Sequence, residues 1–167
     1  SVDDRASQDL HGRSLCIVDD HATNRRILEA YATKWGVRCW LAADGPQALA
    51  CLRAAAAGAA CDVAIIDMQM PGMDGFELAR AIKADPVLAP TRLILLTSQG
   101  QRGDAQAAQT AGYAAYLTKP IHESRLYECL LAVVAPPASA SPAPLITRHS
   151  LAERKTQGTP RVLLADD

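Results

Sequence analysis

Six side chains in this 167-residue sequence have types suited to chemistry, and each follows a short apolar run. Asp19 and Asp20 follow SLCIV, Asp67 follows VAII, Thr97 and Ser98 follow LILL, and Lys119 follows AYLT. Each has an ordinary explanation on its own. An Asp pair ahead of a helix is most often a cap, and one Asp after a strand serves turn geometry as often as catalysis. The conjunction is what counts, because unrelated surface residues would not fall in this order at the ends of successive strands. In an open parallel sheet, ligands sit in the crevice beyond the carboxyl ends of the strands. Three carboxylates gathered there raise one another's pKa values, and a divalent cation relieves the repulsion. Oxygen donors without paired Cys or His ligands suit a hard ion, Mg²⁺ first and Mn²⁺ as a substitute. His21 stands next to the pair, but imidazole is a poor Mg²⁺ ligand, so it is read as a surface residue opening a helix.

With a cation, a hydroxyl from Thr97 and an ammonium from Lys119 around it, Asp67 is placed as a nucleophile for in-line phosphoryl transfer. The cation and Lys119 would neutralise the equatorial oxygens while Thr97 hydrogen-bonds one of them. The loop MQMPGMDG after Asp67 carries Pro71, Gly72 and Gly75, which shape a tight turn. The sequence holds no G-x-x-x-x-G-K-[ST] loop and no G-x-G-x-x-G, which argues against ATP or a dinucleotide as the direct substrate.

These residues need a scaffold that brings strand ends together, and the pattern supplies one. Near-continuous apolar runs predict strands at 15–18, 37–41, 63–66, 93–96 and 114–117, as in parallel strands covered on both faces. Helical patterns alternate with them at 23–35, 46–57, 75–84, 102–111 and 122–134. Ile27, Leu28, Tyr31 and Trp35 form one apolar face and Gly36 stops that helix, while Pro46 opens the second and Gly58 closes it. Five β-α units in series imply an α/β fold, a parallel sheet with right-handed crossovers and helices on both faces. The helix at 102–111 is the weakest, since it contains Gly103 and offers only alanines as an apolar face.

Composition fits a globular protein, 49% hydrophobic and 21% charged. A net charge of −1 without a Lys/Arg run argues against a nucleic-acid or membrane-surface footprint. The five scattered cysteines lack metal or disulfide spacing and read as reduced thiols of a cytoplasmic protein. No apolar run approaches the ~20 residues of a membrane helix. The expected organisation is a polar lead-in at 1–12, one domain at 13–135, a Pro/Ala-rich linker with a possible short helix at 136–160, and a final piece at 161–167. That last piece, RVLLADD, repeats RSLCIVDD of the first strand and acid pair.

The segments VDDHATNRRIL, IIDMQMPGMDGFELAR, LLTS and YLTKP together resemble the receiver domain of two-component response regulators. Thr97 follows Asp67 by 30 residues and Lys119 follows Thr97 by 22, as the resemblance requires. It covers about residues 13–134 and implies a doubly wound, flavodoxin-like sheet of strand order 2-1-3-4-5. It implies that Asp67 accepts a phosphoryl group from a phosphohistidine. Asp20, Asp67 and the backbone carbonyl of Gln69 would bind Mg²⁺ directly, with Asp19 acting through water. Thr97 would move toward the phosphoryl group, Tyr116 would follow as an aromatic switch, and Lys119 would pair with a phosphoryl oxygen ahead of a cis bond to Pro120. Ser98, Gln69 and Gln99 would tune the site, the two glutamines setting phosphoryl lifetime.

The implied partners are a histidine kinase dimerisation domain or a histidine phosphotransfer domain, and a second receiver in a longer, hybrid-kinase parent signalled by the RVLLADD repeat. Neither nucleic acid nor direct membrane contact is expected. The piece itself is expected to act as an enzyme only in self-phosphorylation and autodephosphorylation. Two other readings remain open: an interaction module that is never phosphorylated, and a small Mg²⁺-dependent phosphatase.

Overall fold

In the computed structural model, the described residues are 10–98 and 103–135. They form ten elements in strict alternation: β1 Ser14–Val18, α1 Ala22–Lys34, β2 Arg38–Ala42, α2 Gly45–Ala56, β3 Val63–Asp67, α3 Gly75–Ala84, β4 Arg92–Thr97, α4 Asp104–Ala111, β5 Ala115–Thr118 and α5 Glu123–Val134. All four strand pairings are parallel, in the order β2-β1-β3-β4-β5. Observed boundaries lie within two residues of the expected ones, and the expected α/β architecture and strand order are both present. Leu10, ahead of the expected start at Arg13, is buried in the core.

The strands read as they pack. Every residue of β1 and β3 is buried, whereas β2, at one edge of the sheet, is covered only in part. Alternate side chains feed two cores. On one face Leu15, Ile17, Val63, Ile65, Ile94 and Leu96 meet Leu28 of α1 and Leu126 and Leu130 of α5. Trp35 strengthens this layer, with ring centroids 5.0 Å from Tyr127 and 6.2 Å from Tyr31. On the other face Cys16, Val18, Ala64, Ile66, Leu93 and Leu95 meet α2, α3 and Ala108 of α4. Burying either layer removes apolar side chains from water at about 25 cal/mol per Å².

Local chemistry starts the helices where the sheet needs them. The Asp44 carboxylate accepts the Gln47 N–H at 2.8 Å to cap α2, and Asp74 accepts the Glu77 N–H at 2.8 Å to cap α3. From β1 the chain winds outward to β2 and then returns to place β3 on the other side of β1. The strand order reverses there, and β1 and β3 deliver their carboxyl ends to the two walls of one crevice.

Candidate functional site

The crevice gathers the acids that the sequence spaced 47 residues apart. Asp19 and Asp20 follow β1, Asp67 ends β3, Thr97 ends β4, and Lys119 follows β5. Asp19, Asp67 and Thr97 are buried.

The two adjacent acids are held differently. Asp19 is saturated by protein: its carboxylate accepts the His21 backbone N–H at 2.8 Å and the Asn24 side-chain amide at 3.2 Å, and faces Lys119 Nζ at 3.5 Å. Arg25 donates to the Asp19 carbonyl at 2.6 Å, which clamps the backbone to the first turns of α1. Asp20 has no such support. Its Oδ1 is buried without a hydrogen-bond partner, a costly state for a carboxylate oxygen unless something else satisfies it.

Asp67 is paired with Lys119, its Oδ1 3.0 Å from Nζ. Burial nevertheless pushes its carboxyl above the ordinary value near 3.8; Lys119 and a backbone hydrogen bond from Gln69 pull it back, while Asp19 adds to the rise. Desolvation wins over the pairing. Lys119 is itself positioned by its backbone, whose N–H donates to the Thr97 carbonyl at 2.7 Å, and its bond to Pro120 is cis.

The loop after Asp67 is drawn in tightly. The Gly75 N–H donates to the Met68 carbonyl at 3.0 Å, and a Cβ at Gly75 would stand 2.9 Å from the Asp67 carbonyl oxygen and 3.0 Å from Met68 Cα. Only glycine fits there without moving the backbone that carries Asp67. The buried Tyr113 hydroxyl holds the same turn by donating to the Gly75 carbonyl at 2.6 Å. Tyr116 is half-buried on β5, and Ser98, Gln69 and Pro120 are exposed at the rim. Gln99 and residues 136–167, including the linker and RVLLADD, lie outside the described residues.

Among the described residues, one group of side chains could hold a metal ion: Asp19, Asp20, Asp67 and also His21, with ligand atoms all within 4.8 Å of one another. Oxygen-rich donors and an Asp20 oxygen without a hydrogen bond fit a divalent cation. His21 is exposed and opens α1, as expected, and its ring also lies against the acid pair. Sequence reasoning missed Asn24, Arg25 and Tyr113. The first two follow the acid pair by about one helical turn, a spacing that marks them as its neighbours; nothing local marks Tyr113.

Comparison with known proteins agrees with this geometry. Residues 15–131 match the response regulator receiver domain family. The chain is 38% identical over 113 residues to the response regulator PleD of Caulobacter vibrioides, 68% of this chain and 24% of the relative. It is 38% identical over 133 residues to the virulence sensor protein BvgS of Bordetella pertussis, 77% of this chain and 10% of the relative. The chain thus spans about a quarter of one and a tenth of the other. The solved structure of Vibrio cholerae chemotaxis protein CheY4 superposes with a TM-score of 0.68 at 29% identity, covering 73% of this chain and 98% of that one.

Proposed function

The chain belongs to the response regulator receiver domain family of two-component signalling, and from that membership we propose that it takes a phosphoryl group from a phosphohistidine onto Asp67. The observation that carries the reading is buried Asp67 paired with Lys119 at 3.0 Å, beside an Asp20 oxygen that has no hydrogen-bond partner. Asp67 attacks phosphorus as the P–N bond to the donor imidazole breaks; the imidazole takes up a proton and an acyl phosphate forms on Asp67. Lys119 leaves the carboxylate to pair with a phosphoryl oxygen, and Thr97, one position beyond the strand partner of Asp67, hydrogen-bonds another. Asp20, Asp67 and the backbone carbonyl of Gln69 would hold Mg²⁺, which supplies positive charge against the transferring oxygens. Asp19 is already saturated by His21, Asn24 and Lys119, which supports its acting at one remove.

Tyr116 follows Thr97 as the switch, and Ser98, Gln69 and Gln99 at the rim tune access to the acyl phosphate. The phosphodonor is a kinase dimerisation domain or a histidine phosphotransfer domain. A groove of about 450 Å³ lined by Asn24, Ile27, Leu28, Tyr31, Pro120 and Ile121 runs up to Lys119, and Ile27 is exposed on it. An apolar groove beside the acceptor suits a helix that presents a histidine. The RVLLADD repeat and the likeness to a sensor protein support a larger relay protein, with a second receiver beyond the linker and a hybrid kinase as parent. Among the described residues no helix is long and apolar enough to cross a membrane, and a cytoplasmic location is part of the same proposal.

The test is incubation with a small phosphodonor and Mg²⁺, followed by intact-mass measurement. Wild type should gain one acid-stable, base-labile phosphoryl adduct and Asp67→Asn none. An unmodified wild type, or an adduct that survives Asp67→Asn, would sink the reading, and rapid turnover of unrelated phosphate esters would favour a phosphatase instead.

A further inference from the structure

The position of His21 suggests more than a residue opening a helix. Its main chain is fixed, because its N–H donates to Asp19 Oδ1 at 2.8 Å and it is the N-cap of α1. Its side chain is 70% exposed and caps nothing. Even so, the ring turns toward the acids, with Nδ1 3.1 Å from Asp20 Oδ1 and 3.5 Å from Asp19 Oδ1. The shorter contact lacks hydrogen-bond alignment, since Asp20 Oδ1 has no hydrogen-bond partner. Two donor atoms side by side with no hydrogen bond between them have the spacing of neighbouring ligands on one ion. For metal–ligand bonds of about 2.1 Å, adjacent octahedral ligand atoms lie about 3.0 Å apart and opposite ones about 4.2 Å. The 3.1 Å contact matches the spacing of adjacent ligand atoms.

We propose that His21 Nδ1 is an additional ligand atom of the acidic site and shifts its preference from Mg²⁺ toward a first-row transition ion. The chemistry is that of donor softness: carboxylate and carbonyl oxygens suit Mg²⁺, whereas a neutral imidazole adds most to the affinity of ions such as Co²⁺ or Zn²⁺. This inference rests on the proposed cation site at Asp20 and Asp67 and specifies which ion that site selects. A chain with a non-ligating side chain at this position would hold the same acids with less discrimination.

The experiment uses Co²⁺ and Mg²⁺ as probes on the whole chain, by calorimetric titration above the ordinary imidazole pKa of about 6.5. Wild type, His21→Asn and Asp67→Asn are compared. The ratio of Co²⁺ to Mg²⁺ association constants should fall about tenfold or more in His21→Asn. In parallel, the Co²⁺-loaded wild type should show strongly shifted imidazole ring-proton resonances that are missing from His21→Asn. An unchanged ratio, or shifted resonances that persist in His21→Asn, overturns the proposal and leaves the imidazole as an ion-pair partner of the acids. If Asp67→Asn binds both ions as wild type does, or wild type binds neither, the cation site itself fails and the inference falls with it.

Discussion

The two helices that flank β5 make opposite bargains with the sheet. α5 runs twelve residues and buries Leu126, Cys129, Leu130, Val133 and Val134. α4 runs eight and buries Ala108. It is entered and left through glycines in the left-handed region, Gly103 at φ 97° and Gly112 at φ 103°, and its N-terminus has no side-chain cap. Both helices are attached to the site: α4 follows the strand that ends in Thr97, and α5 follows Lys119. The crevice is therefore joined to one element with a large buried face and one with a small one. Tyr113 moderates the difference, since it bonds back to Gly75 and meets Phe76 edge-on at 6.4 Å.

Hydrogen exchange offers the widest gap between them. The amides of α5 around Leu130 should exchange only with global unfolding, while those of α4 open locally at a cost lower by several kcal/mol. Equal protection in the two helices would break the comparison. Truncation should repeat the contrast in denaturant unfolding. Leu130→Ala is expected to cost about 2–5 kcal/mol through lost burial and a cavity, against about 1 kcal/mol for Ala108→Gly, chiefly backbone entropy.

Tyr113→Phe tests the tether itself. Losing this buried hydrogen bond to the Gly75 carbonyl should cost about 1 kcal/mol. It should also loosen α4 further without changing exchange in α5; an unaffected α4 would mean that the tether serves only the Gly75 turn.

The last test concerns the edge that both helices share. Because burial raises the Asp67 pKa in the folded chain, the folded form holds its proton at higher pH than the unfolded form does. Without divalent cation, the contribution of Asp67 to stability should be most favourable below about 4 and decline as pH rises through the elevated value. The difference in unfolding free energy between wild type and Asp67→Asn, followed across that range, isolates the effect. A difference that grows in favour of wild type as pH rises would reverse the sign and show that Lys119 outweighs desolvation.

Much of this molecule was legible from one sequence. Continuous apolar runs such as AIID's neighbours in VAIID and LILL fixed the buried strands, because only strands covered on both faces can be apolar at every position. The small buried face of α4 was visible in Gly103 and its alanines. Asp67, Thr97 and Lys119 were legible as candidates because each ends or directly follows a strand, so the topology had no freedom to separate them. The unequal treatment of Asp19 and Asp20 was not legible. Adjacent in sequence and identical in type, they differ only in what α1 and Lys119 bring to one and withhold from the other.

By itself, then, the sequence determined the element order, the sheet, the family resemblance and the set of candidate side chains, since hydrophobic period and strand-end placement are local properties of the chain. The tertiary structure alone decided which acid is saturated and which oxygen is left without a hydrogen bond, and that desolvation outweighs Lys119 at Asp67. It also brought Tyr113 to Gly75 and the His21 imidazole to the acids. Those outcomes depend on distances of about 3 Å between groups on different elements, and such distances exist only once the chain has packed.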